Sequence, residues 1–242
     1  MDVIPHSYVN LLLDGRLVPL MKEDDGVRPI GIGECLRRIM GRSVAKLTGS
    51  DVQLAGGTLQ TCTGIEAGIE ASIHAMERLL DNDECEAVLL VDAENAFNRL
   101  NRKTALHNMQ HLCPPLFRFL ANSYSEPSKL HLGDGSFIMS QEGATQGDPV
   151  AMQMYAVSSR KAINSLDANT EDVAQVWFAD DSIAAAKLAN LYDWWVHLNR
   201  IGPMYGYFPN APKTVLVLKS PNDEQRARDM FGTHVKITTE GK

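Results

Sequence analysis

Two short apolar runs in this chain each end in aspartate, and this pattern constrains the fold more than any other feature. Residues 87–91 (AVLLV) precede Asp92, and residues 173–178 (VAQVWF), followed by one alanine, precede Asp180 and Asp181. Apolar runs of roughly four to eight residues that are bounded by polar residues predict buried β-strands. Three carboxylates at the ends of two neighbouring strands would converge on one spot, where they would repel one another without a cation.

The cation that best suits such a cluster is magnesium. Mg²⁺ prefers hard oxygen ligands and usually takes one or two carboxylates together with substrate phosphates. Two ions about 3.5–4 Å apart stabilise the attacking and leaving oxygens of an in-line phosphoryl transfer. The pattern therefore predicts a nucleotidyl-transfer site that uses two Mg²⁺ ions, in place of which Mn²⁺ would also fit.

Composition indicates an ordinary globular protein. The 242 residues are 44% hydrophobic and 22% charged, which suits one large domain or two small lobes that share a core. No apolar run approaches the roughly 20 residues of a membrane helix, and the N-terminus lacks the pattern of a signal peptide, so we expect no membrane association. The four cysteines form no CxxC pair and indicate free thiols in a reducing compartment. These features predict an intracellular protein, without distinguishing the nucleus from the cytoplasm.

The distribution of charge is more informative than the net charge. The net charge of −7 argues at first against a nucleic-acid partner, but residues 66–98 hold nine acidic residues against one basic residue and account for the whole excess. Arg37, Arg38, Arg42 and Lys46 form a local basic cluster that would suit a phosphate backbone, although a solvated helix face explains it equally well. The charge therefore does not exclude a nucleic-acid partner.

Hydrophobic periodicity and turn residues predict an α+β fold, with helices packed on one face of a mainly antiparallel sheet. Strands are expected within a hairpin at 15–34, at 87–92, in a hairpin at 129–140, at 173–178 and 182–187, and at 214–218. Helices are expected at 36–47, 65–80, 103–112, 115–124, 149–166 with Asp148 as its cap, and 188–201, where Gly202 and Pro203 should stop the helix.

Five blocks of sequence resemble the ordered motifs of reverse transcriptases. The blocks are DAENAFN at 92–98 (motif A), GATQGDP at 143–149 (motif B), FADD at 178–181 (motif C), GYFPNAPKT at 206–214 (motif D), and VRPI at 27–30 followed by LRRI at 36–39 (fingers motifs). They follow the order of that family over roughly residues 17–218. Their amino-acid sequences most resemble those of the enzymes of animal retrotransposons.

The resemblance implies the fingers and palm of a right-hand polymerase, in which an antiparallel palm sheet is backed by helices. Residues 1–86 would be mainly fingers, with the helix that leads into the palm, and residues 87–218 would be mainly palm with motifs A to D. Residues 219–242 are too few for the helical thumb of the family, so we expect a truncated extension toward a missing thumb. A chain of this kind would be part of a longer polyprotein or a minimal copy of the element.

The resemblance also assigns the chemistry of the site. Asp92 and Asp180 would be bridging ligands of two Mg²⁺ ions, Asp181 would support them, and the Ala93 carbonyl would add an oxygen. Lys213 would act as a general acid that protonates the leaving pyrophosphate. A surface lysine at the start of a strand is the alternative reading of Lys213.

Five residues are implied to contact the nucleotide. Phe97 would pack beneath the incoming sugar and collide with a 2′-hydroxyl, which selects dNTPs over rNTPs. Gln146 would contact the nucleotide and template, and Gly147 would allow close approach of the backbone. Arg28 and Lys22 would grip the triphosphate, although a solvated surface lysine is an equal interpretation of Lys22.

The sequence thus predicts an RNA-directed DNA polymerase whose partners are an RNA template, a DNA primer and dNTPs. One alternative is a catalytically silent retroelement remnant or a domesticated structural protein that keeps the fold. Another is a different palm polymerase, such as an RNA-dependent RNA polymerase. Those enzymes usually carry Gly-Asp-Asp and a polar residue at the position of Phe97, and this chain has neither.

Overall fold

The structure is a computed structural model that describes residues 6–21 and 26–240. The strands in this part of the chain are β1 (Gly15–Met21), β2 (Val27–Gly33), β3 (Ala87–Val91), β4 (Ser128–His131), β5 (Phe137–Ser140), β6 (Ala174–Phe178), β7 (Asp181–Ala186), β8 (Val215–Leu218) and β9 (Lys236–Thr238). The helices are α1 (His6–Leu13), α2 (Cys35–Leu47), α3 (Gly49–Gly56), α4 (Gly68–Asp81), α5 (Ala96–Arg99), α6 (Arg102–Leu112), α7 (Pro114–Tyr124), α8 (Ala151–Asn169), α9 (Leu188–Tyr205) and α10 (Glu224–Phe231). Lys22 lies outside the described residues.

The strands form two sheets. The larger sheet has the order β6-β7-β3-β8-β9 and is antiparallel except for the parallel pair β8–β9. The smaller sheet has the order β2-β1-β4-β5, in which two antiparallel hairpins meet through the parallel pair β1–β4. Helices pack around these sheets in a mixed α/β arrangement, and the prediction of mainly antiparallel pairing is confirmed.

Helices cover both faces of the larger sheet, so the prediction that they pack on one face is wrong. On one face, Leu89 of β3 lies in the main core with Trp177 of β6 and side chains of α6, α8 and α9. On the other face, Val88 packs against Met76 of α4. The physical reason is visible in β3, whose residues are all apolar and therefore favour burial on both sides.

Helix α9 continues through Gly202 and Pro203, so the predicted stop at that pair is wrong. The helix ends one turn later, where the Tyr207 N–H donates to the Gly202 carbonyl at 2.9 Å and the Gly206 N–H donates to the Pro203 carbonyl at 3.1 Å. This is a Schellman arrangement, which needs a left-handed residue, and Gly206 supplies it with φ of +79°. Gly206, and not the Gly-Pro pair, therefore terminates the helix.

The other predicted elements lie close to their expected positions, including the short strands β4, β5 and β8, but five short elements of the described chain were not predicted. Elements α1, α3, α5, α10 and β9 have at most eight residues each, too few to show a clear period. Two of them, α10 and β9, lie in the last stretch of the chain, where β9 extends the larger sheet beside β8. None of the described helices has the length and hydropathy needed to span a membrane.

Candidate active site

Strand register brings the three predicted carboxylates to one end of the larger sheet. Val91 of β3 lies opposite Ser182 of β7, so Asp92 follows directly beside Asp181. Strands β6 and β7 form a hairpin whose two-residue turn contains Asp180. A pairing between distant parts of the chain therefore places the carboxylates together.

Hydrogen bonds from two buried side chains hold the turn that carries Asp180. Ala179 precedes Asp180 in the left-handed region, with φ of +55°. The side chain of Gln60, which is fully buried, accepts from the Ala179 N–H at 2.8 Å and donates to the Ala179 carbonyl at 3.1 Å. The hydroxyl of Tyr207 donates to the Asp180 carbonyl at 3.0 Å. The turn is thus bonded at two consecutive residues.

The segment after α9 runs beside Asp92 and pairs with it. The Asn210 N–H donates to the Asp92 carbonyl at 2.8 Å, and the Asn210 side-chain amide donates to the Asp92 carboxylate at 3.3 Å. The Glu94 N–H donates to the Phe208 carbonyl at 2.9 Å. These hydrogen bonds use the Asp92 carbonyl and the Glu94 N–H, so none of them involves the Ala93 carbonyl.

The carboxylates perturb one another. Burial raises the pKa of Asp180 to about 6, and the negative charges of Asp181 and Asp92 add to this effect, while the positive charge of Arg28 opposes it. Burial also raises the pKa of Asp181, with a contribution from Asp92. A raised carboxyl pKa means that negative charge is disfavoured here, which is the environment that a cation would relieve.

The donor set suits magnesium only if other oxygens complete it. Among the described residues, no three His, Cys, Asp or Glu side chains form a ready-made metal site. Asp92 and Asp180 nevertheless border the same cavity, and the Ala93 carbonyl is not used by the neighbouring strand. Mg²⁺ binds with one or two carboxylates and substrate phosphates and retains waters, so these residues fit the ion as part of a shared site.

Two adjoining cavities form a cleft in front of the carboxylates, with volumes of about 360 and 440 Å³. Both are lined by Arg28, Phe97, Gln146 and Asp180. Eight of the ten predicted site residues line this cleft, namely Arg28, Asp92, Ala93, Phe97, Gln146, Gly147, Asp180 and Lys213. Asp181 lies next to it at the start of β7, and Lys22 cannot be placed because it lies outside the described residues.

Two glycines allow the strand that carries Arg28 to lie against the loop that carries Gln146. The Gly31 N–H donates to the Gln146 carbonyl at 2.7 Å. A Cβ atom at Gly147, where φ is +103°, would lie 2.7 Å from the Gly31 carbonyl oxygen, and a Cβ at Gly31 would lie 2.2 Å from the Thr145 methyl carbon. The absence of a side chain at Gly147 therefore allows its backbone to lie close to β2.

The ring of Phe97 is held in the cleft from below. It stacks on Tyr155 of α8, with ring centroids 4.8 Å apart and planes inclined by 27°. The Phe97 carbonyl accepts from the Ala144 N–H at 2.7 Å, which joins this segment to the loop before Gln146. Because Tyr155 is buried, Phe97 cannot retreat toward the core.

The prediction that Asp148 caps α8 is wrong, because the N-cap is Val150, and Asp148 instead bonds the chain just before the helix and two distant side chains. One oxygen accepts from the Val150 N–H at 3.0 Å, just before α8 begins. The other accepts from the Tyr124 hydroxyl at 2.7 Å and from the Arg37 guanidinium. Arg37 is therefore buried and paired, and the expectation that it belongs to an exposed basic cluster on α2 is wrong for this residue.

Several residues that build the site were not predicted from the sequence, namely Gln60, Tyr207, Asn210 and Arg102. Arg102 donates to the carbonyls of Ser140 and Gly143 at 2.9 and 3.1 Å and so anchors the chain that enters the Gln146 loop. Asn210 lies inside the block that resembles motif D, and this position in the motif could have identified it as a site residue. Gln60 contacts a turn 119 residues away, and nothing in its local sequence indicates this.

Comparison with known proteins shows similarity of fold. No protein-family model and no curated protein matches the chain. Apo telomerase from Candida tropicalis has a similar structure, with a TM-score of 0.65 and 12% identity, over 89% of this chain and 46% of that one. Telomerase from Candida albicans, solved with a TWJ fragment of telomeric RNA, has a TM-score of 0.62 and 13% identity, over 90% of this chain and 45% of that one.

At this level of identity the comparison concerns the fold alone. This chain shares the fold of the telomerase structures that it matches, and it spans about half of their length.

Replacing Asp180 by Asn should remove much of the pH dependence of stability in the metal-free protein. Because the pKa of Asp180 is about 6 in the folded state and about 4 when unfolded, the native state binds the additional proton. The free energy of unfolding of the wild type should therefore fall as pH rises from about 4 to about 6. We expect Asp180→Asn to gain roughly 1–2 kcal/mol over wild type across this range, less than the full shift because the side chain is partly exposed. Urea unfolding in EDTA at several pH values measures the free energies of unfolding of the wild type and of Asp180→Asn.

Asp193→Asn is the matched control, since it makes the same charge change at an exposed position on α9. Its pH dependence should follow the wild type. An equal pH slope in wild type and Asp180→Asn would contradict the electrostatic account of the cluster.

Proposed function

We propose that this chain is the polymerase core of a retroelement reverse transcriptase, which adds dNTPs to a DNA primer on an RNA template. The observation that carries the proposal is the placement of Asp92, Asp180 and Asp181 at one sheet end, where Asp92 and Asp180 line a cleft together with Arg28 and Phe97. Nucleotidyl transfer needs acidic side chains that can bind metal ions and a cationic side chain, here Arg28, that can bind phosphate. The fold comparison supports this at a coarser level.

In this proposal the larger sheet is the palm and the smaller sheet belongs to the fingers. Residues 1–86 are mainly fingers, and residues 87–218 are mainly palm apart from β4 and β5, which join the smaller sheet. Residues 219–242 extend the palm and add β9 to the larger sheet. The chain spans about half of the telomerase structures that it resembles, and one of these was solved with RNA. We propose that further domains of a longer polyprotein supply the thumb that grips the primer and template.

Asp92 and Asp180, with the Ala93 carbonyl and with Asp181 in support, would hold two Mg²⁺ ions. When bound, these ions lower the pKa of the primer 3′-hydroxyl and neutralise charge on the triphosphate. Most of the catalysis would then come from positioning and electrostatics, for which the hydrogen-bonded turn and the Asn210 contact hold the carboxylates in place.

The cleft residues would bind the nucleotide from opposite sides. Arg28 on β2 suits a bidentate contact to the triphosphate. Lys213 lines the same cavity as Asp92, where it would donate a proton to the departing pyrophosphate. Gln146 would contact the nucleotide and template, and Phe97, supported by Tyr155, would exclude a 2′-hydroxyl.

Primer extension on an RNA template with Mg²⁺ and dNTPs tests the proposal. We expect extension by the wild type and its loss, by at least about 1,000-fold, in Asp180→Asn, because the amide removes a charged metal ligand. Asp193→Asn should extend as the wild type does. Extension that survives in Asp180→Asn would remove this residue from the reaction, and no extension by folded wild-type protein would favour the silent remnant.

The sugar preference of the enzyme should depend on Phe97. Phe97→Val opens the space beneath the sugar, so we expect discrimination between dNTPs and rNTPs, as a ratio of kcat/KM values, to fall roughly 10-fold or more. Phe137→Val makes the same change at a half-exposed position on β5 and should not alter the ratio. An unchanged ratio in Phe97→Val would show that this residue is not the gate, and a wild type that prefers rNTPs would favour an RNA-dependent RNA polymerase.

A further inference from the structure

The turn that carries Asp180 contains a residue in an unfavourable conformation. Ala179 has φ of +55° and is only 3% exposed. A non-glycine residue keeps the left-handed conformation when the surrounding structure holds it there. The contacts that hold Ala179 therefore decide where the next residue, Asp180, points.

One side chain bonds both main-chain polar groups of Ala179. Oε1 of Gln60 accepts from the Ala179 N–H at 2.8 Å, and Nε2 of Gln60 donates to the Ala179 carbonyl at 3.1 Å. Gln60 is fully buried, so water does not compete for these groups. The amide acts as a clamp with one donor and one acceptor on the same residue.

Ser159 sets the direction in which this amide faces. The Ser159 hydroxyl donates to the Ala156 carbonyl at 2.9 Å, so it accepts from Nε2 of Gln60 at 3.2 Å. Nε2 is thereby directed to Ser159 and to the Ala179 carbonyl, which leaves Oε1 for the Ala179 N–H. The clamp thus has a single favoured orientation.

The backbone around Gln60 shows why a long side chain is needed. The Trp177 N–H donates to the Leu59 carbonyl, and the Thr61 N–H donates to the Trp177 carbonyl, both at 2.7 Å, which makes one parallel bridge. One more step of this ladder would pair the chain with Ala179, but the pairing ends after Thr61. The Gln60 side chain takes the place of that missing step.

We propose that Gln60 is a positioning residue, which fixes the Asp180 carboxylate in the cleft by clamping Ala179. This inference rests on the proposed function, because it concerns the same site. The Tyr207 hydroxyl bonds the Asp180 carbonyl from another element at 3.0 Å, so loss of the Gln60 side-chain bonds would remove two of the three hydrogen bonds that Gln60 and Tyr207 together make to the turn. Misplacement of a reacting group by about 1 Å costs on the order of 100-fold in rate.

Gln60→Met tests the proposal, because it keeps the length of the side chain and removes its hydrogen bonds. We expect kcat for primer extension to fall roughly 10- to 100-fold while KM for the dNTP changes less than about 3-fold, since the nucleotide contacts of Arg28 and Gln146 remain.

Gln175→Met is the matched control, because Gln175 is another buried glutamine with hydrogen bonds on β6. Its Oε1 accepts from the indole N–H groups of Trp177 and Trp194 at 3.1 and 3.2 Å and does not touch the turn. Loss of buried hydrogen bonds alone should lower stability in both variants, but kcat should fall only in Gln60→Met.

Two measurements do not depend on activity and therefore separate this inference from the proposed function. In Gln60→Met, the amide hydrogen exchange of Ala179 should accelerate at least about 10-fold, and the dissociation constant for Mn²⁺ alone, measured by electron paramagnetic resonance, should rise at least about 5-fold. In Gln175→Met, both should stay within about 2-fold of wild type. If the wild type extends no primer, these measurements still decide the role of Gln60.

Gln60→Glu provides a second variant with its own signature, should Gln60→Met fold poorly. A protonated carboxyl group keeps the acceptor and one of the two donors of the amide, enough to bond both polar groups of Ala179, whereas the ionised form has no donor. The activity of Gln60→Glu relative to wild type at the same pH should therefore recover at least about 5-fold from pH 8 to pH 6. The proposal is overturned if the relative activity of Gln60→Glu is flat with pH and well below that of the wild type, or if Gln60→Met and Gln175→Met have equal effects on kcat and on Mn²⁺ binding.

Discussion

Repulsion among three carboxylates at one end of a sheet is the constraint on which the rest of this structure depends. Burial, together with the neighbouring negative charges, raises the pKa values of Asp180 and Asp181, so the fold has to hold these groups where they would not gather by themselves. The restraint acts on the backbone that carries these residues. The register of β3 and β7 sets the position of Asp92, and the turn between β6 and β7 is bonded by side chains from outside the hairpin. A rigid core beneath, which includes Trp177, gives these bonds a fixed base.

The second requirement is a wall that faces the carboxylates. It is made where β2 lies against the loop around Gln146, and two glycines allow the contact because a Cβ atom on either would collide with the other segment. The buried group of Arg37, Asp148 and Tyr124 ties α2 and α7 to the same loop. Burial raises the pKa of Tyr124 above its usual value, so its hydroxyl stays protonated and keeps donating to Asp148. The cleft is therefore formed by segments that are distant in sequence but bonded to one another.

The sequence predicted the features whose physical cause is local. Apolar runs marked β3 and β6, and the position of a carboxylate directly after each run was enough to expect a shared site. It did not predict the features that depend on distant partners. Gln60 resembles any polar residue until the turn that it contacts is known, and Arg37 looked like part of an exposed basic face until Asp148 was found beside it. The end of α9 was misjudged for a different reason, because the Gly-Pro pair is a strong local stop signal, whereas the helix ends where Gly206 adopts the left-handed conformation of a Schellman arrangement.

The most direct test of the central claim is a crystal structure of the protein with Mn²⁺, an RNA–DNA primer–template and a non-hydrolysable dNTP analogue, with data collected at the manganese absorption edge. The account predicts two anomalous peaks about 3.5–4 Å apart, both bonded to carboxylate oxygens of Asp92 and Asp180, with at least one also bonded to the triphosphate. A nucleotide bound in the cleft without manganese at these carboxylates, or manganese bound only elsewhere on the chain, would contradict it.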